Sequence, residues 1–402
     1  MPNRFTLLLW LLAGCLPALA QAPADKALRI HRNALTVDSH ADIPTVMTEQ
    51  PGYDIGQRHD ARATGTKIDL PRMEEGGMDA MFLVVYVGQG PRTPEGYAQA
   101  KAEVTKLFDL IHAIPKKYPA QAELATTPDD AYRIAKAGKR ALFIGIENGW
   151  PVGKDLSLLE TYYDLGTRYI TLTHFLNNDI GDSATDPAGP EHNGLSPFGE
   201  QVVAEMNRLG IMVDVSHTSD STFYDVLRLS KAPVIASHSS VRALCDHPRN
   251  MSDDMLRALA RTGGVIQMNM VSDYLRLNKP KVAAMQALLA RYRRAASPDD
   301  KRGLEKEMEA LNAQFPQEEG TLADVVDHID HVVKVAGIDH VGIGADLDGG
   351  GGVQGMFDVS EMGNITRELL KRGYSARDIE KIWSGNLFRV MRAVEKAAAA
   401  VR

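Results

Sequence analysis

The chain runs to 402 residues, 44% apolar and 24% charged, with 34 Gly, 20 Pro, two Cys and a net charge of −7. These proportions exclude wholesale disorder, a disulfide scaffold and the basic stripe of a nucleic-acid binder, so no nucleic-acid partner is expected. The length suits two or three domains or one large barrel, and beyond residue 20 no apolar run approaches the ~20 residues that cross a bilayer.

Residues 1–20 read as a signal peptide. Arg4 opens a short basic region, an apolar stretch runs from Phe5 to Leu16, and Ala18-Leu19-Ala20 puts small residues where signal peptidase cuts. Pro17 and the polar switch at Gln21 argue against a buried first helix. The expectation is an exported protein, periplasmic or secreted, with a single domain over 21–402. A competing reading treats Leu12-Ala13-Gly14-Cys15 as a bacterial lipobox, with Cys15 acylated as a lipid anchor. If cleavage follows Ala20, only Cys245 remains and no intramolecular disulfide can form.

Eight apolar runs of strand length follow: 35–39, 79–87, 141–146, 169–173, 211–216, 233–237, 264–270 and 340–344. Helical patterns separate them. Residues 198–209 place Val202, Val203, Met206 and Leu209 on one face ahead of Gly210, and 219–230, 253–261, 323–336 and 359–372 behave alike. Near-continuous apolar strands alternating with helices imply a parallel sheet covered on both faces. Eight such units predict an α/β fold of the (β/α)8 TIM-barrel type, with a doubly wound open sheet as the alternative.

A barrel of this type needs ~250 residues, and the surplus is localised. Residues 44–77 carry turn signals, and 88–140 include an extra helix around 94–113. Residues 179–197 have the Gly, Pro and Asp content of a long surface loop. Residues 275–322 read as two charged helices broken near Ser297-Pro298, either a solvated face or a lid or homodimer contact. Gly349–Gly352 lacks the Lys and helix of a phosphate loop and reads as a flexible loop beside Asp346.

The chemistry lies where the runs end. Run one leads into His40 and Asp42, whose i, i+2 spacing turns both side chains the same way in an extended segment. Run three ends at Glu147, run four at His174, run five at His217, run six at His238 and run eight at Asp346. In a barrel these ends share one rim, and crowding so many ionisable groups without a cation costs several kcal/mol. Imidazoles and carboxylates without thiolate favour Zn2+ or a similar divalent ion. The set suffices for two ions: His40 and Asp42 on one, His217 and His238 on the other, Glu147 across both. Two such ions can share a hydroxide and polarise a carbonyl. Asp346 would then shuttle a proton to a leaving amine, and His174 would donate to the oxygen of a tetrahedral intermediate.

These positions fall in motifs that resemble the membrane (renal-type) dipeptidase family of the metal-dependent amidohydrolase superfamily. The motifs are DSHADIP at 38–44, IDLPRMEEGGMDA at 68–80, GIEN at 145–148 and LGTRYITLTH at 165–174. GLSPFGEQVVAEMNRLGIMVDVSHTSD at 194–220, PVIASHSSVRALCDHPRNMSDDML at 233–256, HIDHVVKVAGIDHVGIGADLDG at 328–349 and GNLFRV at 385–390 follow in family order. The resemblance implies the same binuclear zinc ligands, with His174 on the scissile carbonyl and Asp346 as acid/base. It adds Arg249 as the receptor of the substrate's terminal carboxylate, a role suited to a guanidinium. The chain departs from the family at Ser39, Ala41 and Asn148, where Gly, Asn and Gly are usual, and in the length of 179–197 and 275–322. The implied activity is hydrolysis of small dipeptides with a free carboxyl terminus. The alternatives are an N-acyl amino acid or lactam amidohydrolase on the same centre, and a non-catalytic binding protein that keeps the fold.

Overall fold

The computed structural model describes residues 23–294, 298–315 and 320–400. The segment 1–20, with Cys15, lies outside the described residues. Among the described residues nine strands form one parallel sheet: β1 (Val37–Ala41), β2 (Ala80–Tyr86), β3 (Ala122–Leu124), β4 (Arg140–Glu147), β5 (Thr167–Thr171), β6 (Met212–Asp214), β7 (Ile235–Ser239), β8 (Val265–Met268) and β9 (Val341–Ile343). The order β1-β2-β4-β5-β6-β7-β8-β9 follows the chain, with β3 a short addition on β4. First and last strands meet through Ala345 N–H donating to Asp38 Oδ1 at 3.0 Å and Asp42 N–H donating to the Leu347 carbonyl at 3.0 Å. Eight parallel strands with intervening helices therefore make a nearly closed (β/α)8 barrel, and the eight apolar runs are its staves.

Alternation along the strands separates two apolar regions. Ala80, Phe82 and Val84 of β2, Ala141 and Phe143 of β4, Tyr169, Met212, Ile235 and Val265 belong to one buried cluster. Met81, Leu83, Val85, Leu142, Ile144 and Ile146 belong to the larger one shared with the outer helices. The helix Asn386–Ala399, which the sequence reading did not single out beyond a motif, puts Leu387, Phe388, Val390, Met391 and Val394 into the first cluster. It packs against β6, β8 and β9 and closes one end of the barrel.

The outer helices start where capping residues allow. Ser196, Ser219 and Ser252 accept backbone N–H bonds from Gly199, Thr222 and Met255, and Thr321 with Asp324 forms a capping box. The extra helix expected around 94–113 is Pro94–Lys117, and the charged pair is Lys279–Arg294 and Pro298–Ala313. Both elements of that pair lie between β8 and the helix Leu322–Ala336, so they rise from the carboxyl face of the barrel.

Two loop expectations are corrected. The segment 179–197 is not a surface loop throughout: Asp182 is 1% exposed and accepts N–H bonds from Glu191, His192 and Gly194. Gly349–Gly352 is not a free loop either. Gly351 N–H donates to the Asp346 carbonyl at 2.7 Å and Gly352 N–H to Met270 at 3.1 Å. A Cβ at Gly349 would sit 2.2 Å from both Asp346 Oδ1 and Asp42 Oδ2. The glycine is required for close approach, not for motion.

Candidate metal centre

Glu147 is the last residue of β4, in phase with the inward-facing Ala141 and Phe143. Its Oε1 lies 3.1 Å from His217 Nε2, 3.2 Å from His238 Nε2 and 3.8 Å from His174 Nε2. Its Oε2 lies 3.6 Å from His40 Nε2, which in turn is 3.4 Å from Asp42 Oδ2. All seven strand-end residues named from the sequence thus converge. They form three overlapping candidate ligand groups: His40, Glu147 and His238; Glu147, His174 and His217; and His40, Asp42 and Asp346.

The local backbone explains the convergence. Between Asp38 and Ala41 the β1–β2 register slips, so three steps of β1 span two of β2, a bulge that re-aims His40. Asp42 is not an extended continuation of that strand; it is the N-cap of the helix Ile43–Glu49. The pair meets as expected, by a bulge and a helix start rather than by i, i+2 alternation. His217 and Asp346 have φ of 66° and 60°, left-handed conformations that L-residues adopt at a cost of about 1–3 kcal/mol and that cluster at functional sites.

Hydrogen bonds outside the ligand atoms set the imidazole tautomers. Tyr169 donates its hydroxyl to the Ser39 carbonyl at 3.0 Å, so it must accept from His40 Nδ1 at 2.9 Å. Ser237 likewise donates to Asp214 Oδ2 at 2.5 Å and accepts from His238 Nδ1 at 2.8 Å. In their neutral forms both rings therefore turn an unprotonated Nε2 toward Glu147, the arrangement metal-ligating histidines show.

These residues fit a divalent cation. His40 Nε2 and Asp42 Oδ1 are buried without any hydrogen-bond partner. The His217, His238 and Glu147 atoms are 2.9, 3.1 and 3.2 Å apart, near the ~3.3 Å edge of a tetrahedron with bonds of ~2.0–2.1 Å. The potentials agree. Against the penalty of burial, His174 and His40 hold Glu147 well below the usual carboxylate range, and Glu147 and Asp42 draw His40 well above the usual imidazole value. Burial pushes His217 and His238 well down. The carboxylates thus favour positive charge beside His217 and His238, which resist protonation, while His40, which does not, would release its Nε2 proton to a bound cation.

Around this centre, burial lifts Asp346 to about 8, helped by Asp42 and Glu147, while Asn269 donates to its Oδ2 at 2.9 Å. Burial lowers His174 to about 4, leaving a neutral imidazole. Arg249 is 3% exposed, donates to Ser239 Oγ and the His238 carbonyl at 2.9 and 2.8 Å, and keeps a buried Nε without a partner. His31 and His192, given no metal role from sequence, bind Thr366 and Gly76, and the Asn178 carbonyl.

A sequence model of the membrane dipeptidases, peptidase family M19, matches residues 24–402. The chain belongs to the membrane dipeptidase family. It is similar to the dipeptidase tcpJ of Claviceps purpurea, 36% identical over 337 residues, 83% of this chain and 70% of that protein. The dipeptidase aclJ of Aspergillus oryzae is 34% identical over 337 residues, 83% of this chain and 71% of that one. Among solved structures, the probable dipeptidase PvdM from Pseudomonas aeruginosa superposes with a TM-score of 0.86 at 32% identity, covering 94% of this chain and 99% of its own. A metallopeptidase from Rhodobacter sphaeroides, solved with a phosphinate mimic of the dipeptide L-Ala-D-Ala, shares the fold at a TM-score of 0.71 and 23% identity, covering 90% and 99%.

As a member of the membrane dipeptidase family, the protein is a metallo-dipeptidase, and the groups around Glu147 are its candidates for holding metal. Sequence reasoning missed the residues that orient them: Tyr169, Ser237, Asp214 and Asn269. Asn269 had a weaker signal, as a polar residue at the next-to-last position of the seventh apolar run, inside it rather than after it like the other site residues. Tyr169 had none, since an aromatic near a strand start reads as core.

Proposed function

We propose that the protein is an exported zinc dipeptidase that hydrolyses small dipeptides carrying a free terminal carboxylate. The observation that carries this reading is the pairing of the Glu147-centred donor cluster with Arg249, whose buried Nε lacks a partner behind the ligand His238. In this reading His40 and Asp42 would hold one ion and His217 and His238 the other, with Glu147 as the ligand the two would share. Nitrogen and oxygen donors without thiolate suit Zn2+. When bound, the ions acidify a water and polarise the scissile carbonyl.

The chain's own groups do the rest. Arg249 orients the substrate by its carboxylate, the charge-assisted bond that a buried guanidinium makes best. Neutral His174 donates to the carbonyl oxygen as charge grows there. Asp346, whose carboxylate form the positive charge of bound ions would favour despite its raised value, is held at Oδ2 by Asn269. It takes the proton of the attacking water at its other oxygen and passes it to the departing amine. Export is supported by the signal-like 1–20 segment, with lipid anchoring through Cys15 as its variant and a homodimer through the 275–322 insertion as a further expectation.

The deciding experiment compares dipeptides with N-acyl amino acids before and after chelation, with zinc added back. Restored cleavage of dipeptides, with two zinc ions per chain, is the expected result. Turnover of N-acyl amino acids alone would replace this reading with the amidohydrolase one. Sequencing the mature amino terminus separates cleavage after Ala20 from acylation at Cys15.

A further inference from the structure

We infer that the hairpin inserted after β8 builds a pocket for a bulky apolar side chain on the dipeptide, roofed by Val282, Met285 and Leu289. This rests on the dipeptidase reading and narrows its substrate class. The three residues recur at spacings of three and four along Lys279–Arg294, so they share one face of that helix. With Phe175, Tyr274 and Leu277 they enclose a cavity of about 480 Å3, within the range of small-molecule sites and larger than a methyl side chain needs. The other arm of the hairpin adds Met308 to this cavity, but most of its apolar lining comes from outside the hairpin seam. Leu288 and Arg291 lie instead along the groove shared with Pro298–Ala313, where Arg291 binds Glu307 through two bonds of 2.6 and 3.0 Å.

Two of the cavity's walls, Phe175 and Tyr274, also border the candidate metal centre. The Phe175 ring stands 3.9 Å from the His174 ring and 5.3 Å from His217. The Tyr274 ring lies 5.7 Å from the Arg249 guanidinium. A substrate held between His174 and Arg249 therefore borders both aromatic walls. Phe175 is 48% exposed and Leu277 37% exposed, and large apolar surface beside a polar site gains by being covered. Asp186, Asp246 and Asp273 line the rim, with Lys281 paired to Asp273, so an anionic side chain is disfavoured there.

The test measures kcat/KM of the metal-loaded full chain for Ala-Ala, Ala-Trp and Trp-Ala. At least one Trp dipeptide is expected to exceed Ala-Ala by roughly tenfold, the scale at which a hydrophobic pocket discriminates. Val282→Trp, which fills the cavity, and Leu289→Asp, which charges it, should each erase that ratio. Met285→Ala, which only removes bulk, should lower it where either of those fails to fold. Ala290→Lys, on the exposed side of the helix, should keep it. Equal turnover of Ala and Trp dipeptides by the native enzyme, or a ratio that survives all three cavity variants, overturns the pocket while leaving the dipeptidase reading intact. No cleavage of any dipeptide overturns that reading itself.

Discussion

The hydroxyl of Tyr169 accepts the Nδ1 proton of His40 at 2.9 Å from across the barrel interior. Its ring is accommodated because β4 carries glycine at 145, where a Cβ would lie 2.2 Å from Tyr169 Cζ. A residue of the hydrophobic filling thereby fixes a candidate ligand. Tyr169→Phe keeps the ring and removes the acceptor. Metal affinity should fall roughly 10–100-fold, the cost of losing such a partner, with the melting temperature of the chelated protein little changed. Chelator competition measures the first and calorimetry the second.

His217→Ala removes one of the two imidazoles that approach Glu147 Oε1 most closely. Metal content per chain should drop, and dipeptide hydrolysis should fall below detection. Full metal content with native turnover in that variant would remove His217 from the ligand set.

Arg249→Met should raise KM for dipeptides by about 10–100-fold, from loss of a charged hydrogen bond of about 1.5–3 kcal/mol. A dipeptide amide, which has no terminal carboxylate, should be cleaved with similar KM by native and variant enzymes. A KM change of the same size on the amide would mean that Arg249 acts only by supporting the His238 carbonyl.

Gly349→Ala places a methyl against the carboxylates of Asp42 and Asp346. Overpacking of this kind costs about 1–3 kcal/mol when neighbours must move. Because the displaced atoms belong to the candidate centre, kcat should fall further than stability does, which parallel rate and denaturation measurements would show.

His328 is 1% exposed, and burial lowers it to about 4. It accepts from Val241 N–H at 3.0 Å and donates to the Leu275 carbonyl at 3.2 Å, so only the neutral ring satisfies both. The unfolded chain takes up a proton below about 6.5 that the folded protein refuses until about 4. Its contribution is complete above 6.5 and declines by about 3 kcal/mol as pH falls to 4. Urea unfolding of chelated protein across that window should show a shallower pH slope for His328→Asn than for the native chain.

The barrel and its rim were legible because both rest on local pattern. Apolar runs such as 141–146 mark buried parallel strands, and a polar residue directly after such a run sits at the carboxyl end. What was not legible depends on distant partners. Residues 179–197 have loop composition, yet the Asp182 carboxylate collects three backbone donors and draws the segment inward. The glycines after Asp346 look permissive in sequence, but the carboxylate of Asp42, some 300 positions earlier, makes Gly349 a packing requirement. Tyr169 and Asp214 serve the site through contacts that cross the barrel or pass through a serine, and no spacing rule exposes them.

The helix that closes the barrel is also the last to be synthesised of the elements that build it. Every candidate ligand from His40 to Asp346 precedes residues 386–399, whose Leu387, Phe388 and Met391 complete the inner apolar cluster. Until that stretch docks, Phe82, Phe143 and Tyr169 have an unfinished floor, and exposed apolar surface of this kind is what chaperones hold. The sheet can form early, but its interior is sealed late. Because Tyr169 belongs to that interior and also orients His40, closing the core and fixing this candidate ligand are one event.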